Sequence, residues 1–172
     1  MRIRPDFDEF AALAADHTVV PVWAEVLADL TTPVAAFARV VGNDEGFLLE
    51  SVDNGDRWSR WSFIGRRPQG TLVSKDGRLQ VIGNLGIDIF PGEGMLTALE
   101  RLLAHYRSPE LDDLPPLHGG LIGYLGYDVV REVEHLPNVP TDDLGHPDAV
   151  VSMIGELAVY AHWRQRVPLL AR

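Results

Sequence analysis

Residues 48–65 read LLESVDNGDRWSRWSFIG, and this stretch decides the fold. Its apolar start predicts a buried strand that stops abruptly at Glu50 and Ser51. A polar loop with an Asn-Gly pair then leads into a second short apolar strand at residues 60–65. Packing alone does not require a carboxylate and a hydroxyl at a strand end, whereas holding a small polar ligand does. The stretch therefore predicts two strands with a ligand site where the first one ends.

Length and composition indicate one soluble globular domain over residues 1–172. Hydrophobic residues make up 46% of the chain, and no run approaches the ~20 apolar residues of a membrane-spanning helix. The N-terminal residues do not contain the apolar segment of a signal peptide. Cysteine is absent, which excludes disulfides and thiolate chemistry and is compatible with the cytoplasm, where we expect the protein.

The charge of the chain argues against a nucleic-acid-binding surface. The formal net charge is −10, whereas such surfaces need clustered lysine and arginine. Lys75 is the only lysine, so Schiff-base or P-loop lysine chemistry can involve no other position. An acidic balance of this kind is typical of a solvated surface that keeps a protein in solution.

Local signals predict helices and strands in mixed order. Helices are predicted at 6–16 with Asp6 as cap, at 33–40 after the cap Thr32, at 96–103, and at 128–134 with Asp128 as cap. Strands are predicted at 19–24, 47–52, 60–65 and 119–127, and a hairpin at 70–82 around Asp76-Gly77. The fold class is therefore α+β, with a largely antiparallel β-sheet and helices packed on it.

The C-terminal part of the chain predicts one long strand. Residues 149–163 are apolar and rich in β-branched side chains, which is typical of a strand buried on both faces. Arg164-Gln165-Arg166 then predicts a hairpin turn, and residues 167–170 begin a partner strand that the chain has little room to finish. We therefore expect uncovered strand edges and apolar surface there, and with them self-association into a homo-oligomer or aggregate.

The sequence contains no recognisable catalytic constellation. It has no nucleophile elbow, Walker loop or dinucleotide fingerprint. Acidic pairs such as Asp112-Asp113 are typical of solvated loops, and the six histidines lack metal-ligand spacing. The glycines of GGLIGYLGY, residues 119–127, suit close packing of a strand better than a phosphate site.

Glu50 and Ser51 are the exception. A carboxylate binds an ammonium group with charge assistance, and a hydroxyl donates and accepts beside it. With Leu48, Leu49 and nearby aromatic residues as an apolar wall, these groups suit an amino acid that has a large apolar side chain. The alternative stays open on the residues alone: both side chains could simply satisfy backbone groups at the strand end.

The same residues resemble a known family. The matching pieces are LLES at 48–51, RWSFIG at 60–65, GGLIGY at 119–124 with Tyr127, Asp128, Arg131, Glu134 and Pro137, and the strand at 149–162. Together they are similar to the N-terminal region of anthranilate synthase component I, the large subunit, from about residue 17 onward. The resemblance implies part of the αββα two-layer sandwich of that family, truncated at the C-terminus.

The resemblance implies a role in tryptophan biosynthesis. The complete enzyme converts chorismate and ammonia to anthranilate and pyruvate, uses Mg²⁺, and receives the ammonia from glutamine through a partner amidotransferase subunit. In that family the LLES segment helps to bind tryptophan as feedback inhibitor. Carried over, Glu50 and Ser51 face the tryptophan and Leu49 lines its pocket. The resemblance assigns no catalytic, cofactor or metal-binding residue to this chain.

The resemblance also implies that part of the enzyme is missing. The family's chorismate- and Mg²⁺-binding residues, its catalytic histidine and an Asn-Pro-x-Pro-Tyr-Met segment of the tryptophan pocket have no counterpart here. We therefore expect an N-terminal regulatory domain that carries one wall of the tryptophan site and is inactive alone. Two alternatives remain: a piece of aminodeoxychorismate synthase component I from the folate pathway, and a free-standing amino-acid-binding regulatory module.

Overall fold

A computed structural model describes residues 2–28, 30–50, 61–162 and 166–171. The helices in these ranges are α1 (Phe7–Ala14), α2 (Pro33–Val40), α3 (Met95–His105) and a 3-10 helix (Tyr127–Glu132). The strands are β1 (Ile3–Arg4), β2 (Val22–Leu27), β3 (Gly46–Glu50), β4 (Trp61–Arg66), β5 (Gly70–Lys75), β6 (Arg78–Gly83), β7 (Gly120–Leu125), β8 (Ala149–Ile154), β9 (Glu156–Ala161) and β10 (Arg166–Ala171). No helix in the described part of the chain is long and apolar enough to cross a membrane.

The strands form two sheets, and the α+β class predicted from the sequence is confirmed. One sheet has six strands in the order β1-β2-β10-β9-β4-β3, and the other has four in the order β6-β5-β8-β7. The chain divides into two compact units. The first comprises Met1–Pro68, Tyr106–Gly120 and Ile154–Arg172 and holds the six-stranded sheet; the second comprises Gln69–His105 and Leu121–Met153 and holds nearly all of the four-stranded sheet.

Helix α2 begins where the sequence predicts and packs on the six-stranded sheet. Thr32 caps it by accepting a hydrogen bond from the Ala35 N–H at 3.2 Å, and Pro33 occupies the first turn, where its missing N–H costs nothing. The helix lies over a buried cluster formed by Ala36, Val41, Ile64, Ala158, Tyr160 and Val167. This cluster is the core of the sheet face that also carries the candidate site.

Two other local predictions are confirmed. Strands β5 and β6 form the predicted hairpin, and both turn residues have positive φ, 50° at Asp76 and 70° at Gly77, as a type I′ turn requires. Helix α1 is capped by Asp6 through a capping box with Glu9. Its apolar side is only partly covered, since Phe10 and Leu13 are half-buried and Phe7 is 81% exposed.

The prediction of one long strand over residues 149–163 is wrong. The segment is two strands, β8 and β9, separated at Gly155, and each belongs to a different sheet. An apolar run reports burial but carries no information on which partner buries it. The expectation of uncovered strand edges in this region is wrong as well. Strand β8 lies between β5 and β7, and β10 lies between β2 and β9. Trp163 and the predicted turn residues Arg164 and Gln165 lie outside the described residues.

The predicted helix at 128–134 is shorter and tighter than expected. It is a 3-10 helix over Tyr127–Glu132, with Gly126 at the N-cap position and no side-chain cap. Asp128 therefore does not cap it. Its carboxylate instead accepts a hydrogen bond from Arg131 Nε at 2.6 Å, an ion pair one turn along that competes with capping.

Candidate functional site

The end of β3 carries the predicted site, and its neighbours in the sheet define what surrounds it. In the antiparallel register Glu50 lies opposite Ser62 on β4, and Ser62 lies opposite Tyr160 on β9. Directly opposed residues of a sheet share a face, so these three side chains form a row across the sheet. The predicted site residue Ser51 lies outside the described residues.

A buried hydroxyl joins two exposed ionisable groups in this row. Ser62 Oγ lies 2.8 Å from His162 Nε2 and 3.5 Å from Glu50 Oε1, and the second distance is longer than that of an ordinary O–H···O hydrogen bond. Ser62 has no exposed surface, whereas Glu50 and His162 are exposed. The sequence singled out Glu50 but did not single out Ser62 or His162 for the site. His162 is 100 residues from Ser62 along the chain, and only the pairing of β4 with β9 brings the two residues close together.

Leu49 lies on the other face of the sheet from Glu50. It is opposite Phe63 in the register and 44% exposed. Because β3 is an edge strand, its two faces meet at the outer edge of the sheet. A ligand that contacts both Leu49 and Glu50 must therefore lie across this edge, and the lining role of Leu49 stays a prediction.

Apolar and charged groups flank Glu50 on its own face. Leu48 and the α2 residues Phe37 and Val40 are partly buried against the cluster that contains Tyr160. Burial raises the pKa of the Tyr160 phenol, and the positive charge of Arg39 on α2 opposes that shift. This face therefore combines an apolar wall with a carboxylate from β3.

The Glu50, Ser62 and His162 constellation is not a hydrolytic triad. In a triad the histidine lies between the carboxylate and the nucleophile, so that it takes the proton of the attacking hydroxyl. Here the serine lies between the carboxylate and the histidine. Its oxygen is also buried and out of reach of a substrate. The arrangement suits holding a carboxylate in place rather than nucleophilic attack.

A concave region in the other compact unit is lined by residues that contact one another. A cavity of about 540 Å³ is lined by the β5–β6 turn, the 3-10 helix and residues 139–148. Several of its charged groups are paired: Lys75 with Asp142, and Arg131 with Asp128, while Asp148 accepts the N–H of Asp76. We assign no ligand to it.

The described residues do not offer a magnesium site. No three or more histidine, aspartate or glutamate side chains within them come together in a way that could hold a metal ion. Mg²⁺ prefers several oxygen ligands in near-octahedral geometry. No metal-dependent step is therefore assigned to these residues.

Comparison with known proteins finds relatives that share one name. The anthranilate synthase component 1 of Mycolicibacterium smegmatis is 39% identical over 165 residues, which are 95% of this chain and 32% of that protein. The protein of the same name from Acetivibrio thermocellus is 34% identical over 96% of this chain and 34% of its own length, and that of Mycobacterium tuberculosis H37Rv is 40% identical over 95% and 33%. No protein-family model matches. The chain thus spans about a third of the length of these relatives.

A solved structure supports the fold. The component I of anthranilate synthase from Streptococcus pneumoniae superposes with a TM-score of 0.53 over 86% of this chain and 31% of its own, at 23% identity. At this identity the match concerns the fold alone. Together with the sequence relatives, it confirms the resemblance inferred from the LLES and RWSFIG segments.

Proposed function

We propose that this chain carries part of the tryptophan feedback site of an anthranilate synthase. Nearly the whole chain is similar to about one third of component I of that enzyme. The observation that carries the proposal is the carboxylate of Glu50, which lies 3.5 Å from Ser62 Oγ at the end of β3, in a chain 39% identical to that enzyme. The active enzyme converts chorismate and ammonia to anthranilate and pyruvate.

The chemistry of the site matches an amino-acid zwitterion. Glu50 supplies the anion for the ammonium group, and charge-assisted hydrogen bonds of this kind are the strong ones. Arg39 on α2, whose charge acts on Tyr160, is the proposed cation for the carboxylate. Leu48, Phe37 and Val40 provide apolar surface for an indole ring.

The role of Glu50 is tested by titrating the chain with tryptophan, followed by NMR chemical shifts. Because the chain holds only one wall of the pocket, we expect weak, millimolar binding. Glu50→Gln should weaken it about ten- to a hundredfold, since a hydrogen bond to a charged group contributes ~1.5–3 kcal/mol. Glu45→Gln, which alters an exposed carboxylate just before β3, is the matched control and should bind like the parent. Indole-3-propionate, which lacks the ammonium group, should not bind.

Activity is tested separately. Purified chain given chorismate, ammonium and Mg²⁺ should produce no anthranilate fluorescence, because the described residues assemble no catalytic constellation and no magnesium ligand set. Fluorescence above the protein-free control would refute that part of the proposal. We also propose that an amidotransferase subunit and Mg²⁺ act only with the complete enzyme, and that the chain is cytoplasmic.

The two alternatives make different predictions. Micromolar tryptophan binding by the chain alone would favour a free-standing regulatory module over part of a larger site. The aminodeoxychorismate synthase alternative is disfavoured because the relatives reported above are all named anthranilate synthase component 1.

A further inference from the structure

Ser62 has one hydroxyl proton and two neighbours, Glu50 and His162, that can accept it. An ionised carboxylate only accepts, so in the bond between Ser62 and Glu50 the serine hydroxyl donates. That uses its single proton. For this donation to occur, the serine oxygen accepts from His162 across the 2.8 Å contact, which requires the ring tautomer with its proton on Nε2. With that tautomer the chain of donors runs from His162 through Ser62 to Glu50.

We propose that His162 is a positioning residue of the ligand site, which holds Glu50 in place through Ser62. The inference rests on the proposed function, since it concerns how the carboxylate that receives the ammonium group is oriented. His162 would not touch the ligand in this role. It fixes the hydroxyl rotor of Ser62 so that the proton points at Glu50.

Burial and strand position make this support necessary. Ser62 has no exposed surface, so in the intact protein His162, not solvent water, is its partner on this side. Glu50 is exposed and is the last residue of an edge strand. Among the described residues, the side chain that donates a hydrogen bond to its carboxylate is Ser62. Without a fixed donor the carboxylate samples several rotamers, and ligand binding must restrict them at an entropic cost.

The test compares two substitutions at His162 in the full chain. His162→Leu removes the donor, and tryptophan binding should weaken about three- to tenfold, as the net value of one hydrogen bond implies. His162→Gln places an amide N–H near the position of Nε2 and should restore binding to within about twofold of the parent. His135→Leu, at an exposed histidine of the other compact unit, is the matched control and should leave binding unchanged.

Ser62 provides a double-mutant cycle. Ser62→Ala should weaken tryptophan binding as much as His162→Leu, and the double variant should show no further loss, because both changes break the same chain of bonds. Additive losses would mean that the two residues act independently and would overturn the proposal. Unchanged binding of His162→Leu alongside weakened binding of Glu50→Gln would also overturn it, while leaving the proposed function intact.

A ligand-independent measurement separates the two proposals. Nitrogen-15 shifts of the His162 ring in the free protein should show a proton on Nε2, and Ser62→Ala should change those shifts. If the parent chain does not bind tryptophan at all, the proposed function fails, and the positioning role fails with it. A ring protonated on Nδ1 alone would overturn the positioning role even if tryptophan binds.

Discussion

At the scale of single residues, Glu132 shows how a side chain far along the sequence can complete a helix. Its two carboxylate oxygens accept hydrogen bonds from the Met95 N–H at 2.7 Å and the Leu96 N–H at 2.9 Å, at the start of α3. Helices leave their first N–H groups unpaired, and a negative charge there also complements the helix dipole. The carboxylate lies against Gly94, where an added Cβ would come within 2.6 Å of it.

Removing this cap should destabilise the fold. We expect Glu132→Ala to lower the free energy of unfolding by about 1–2 kcal/mol, the range for losing a helix cap. Urea denaturation followed by circular dichroism measures it. Glu134→Ala, at an exposed carboxylate two residues along, is the control and should change the unfolding free energy by less than about 0.5 kcal/mol. Equal effects of the two substitutions would show that the cap does not stabilise α3.

At the scale of secondary-structure elements, β7 depends on a glycine for its contact with β8. A Cβ added at Gly123 would lie 1.9 Å from the Val150 carbonyl oxygen, and the backbone of Val151 is also close. The sequence predicted a close backbone approach from the glycines of residues 119–127, and this prediction is confirmed at Gly123.

Substitution of that glycine should separate the two strands. Gly123→Ala cannot be accommodated without moving β7, and we expect a loss of about 1–3 kcal/mol in unfolding free energy, typical of overpacking. Thermal unfolding together with hydrogen exchange of the β7 amides would measure both the loss and its location. Leu125→Ala on the same strand removes a side chain that is 49% exposed and should cost clearly less.

Which elements were predictable depends on where their signals lie. The cap and proline of α2 and the Asp76-Gly77 turn are local signals, and both elements were predicted correctly. The division of residues 149–163 was not predicted, because the sheet that each half joins is set by distant strands. The candidate site divides in the same way. Glu50 stands out as a carboxylate after an apolar run, whereas His162 becomes visible only when β9 pairs with β4.

At the scale of the whole molecule, acid stability depends on carboxylates held by cations. Glu93 has a side chain only 4% exposed and accepts hydrogen bonds from Arg101 at 2.8 Å and from the Phe90 N–H at 2.9 Å. The guanidinium of Arg101 also stacks over the Phe90 ring, 4.2 Å from its centre. Burial acts to raise the pKa of the Glu93 carboxyl, but these hydrogen bonds and the charge of Arg101 outweigh it, and the pKa is lowered.

The sign of the resulting pH dependence follows from that lowered pKa. The unfolded chain binds a proton at Glu93 near the ordinary value of 4.5, whereas the folded protein does so only at lower pH. The stabilisation is therefore complete above 4.5 and is lost as the pH falls through the folded pKa. The hydrogen bond with Lys75 also lowers the pKa of the Asp142 carboxyl, so the stabilisation by Asp142 is likewise lost as the pH falls.

Glu93→Gln should make the stability of the protein depend less on pH in the acid range. The amide cannot ionise, so the variant should be less stable than the parent at neutral pH, and the difference between them should shrink as the pH falls below 4.5. Urea midpoints measured across the acid range give the comparison. Glu100→Gln, at an exposed carboxylate of α3, serves as control and should follow the parent at every pH. A constant difference between Glu93→Gln and the parent at all pH values would mean that Glu93 stabilises the fold through packing alone, with no contribution from its charge.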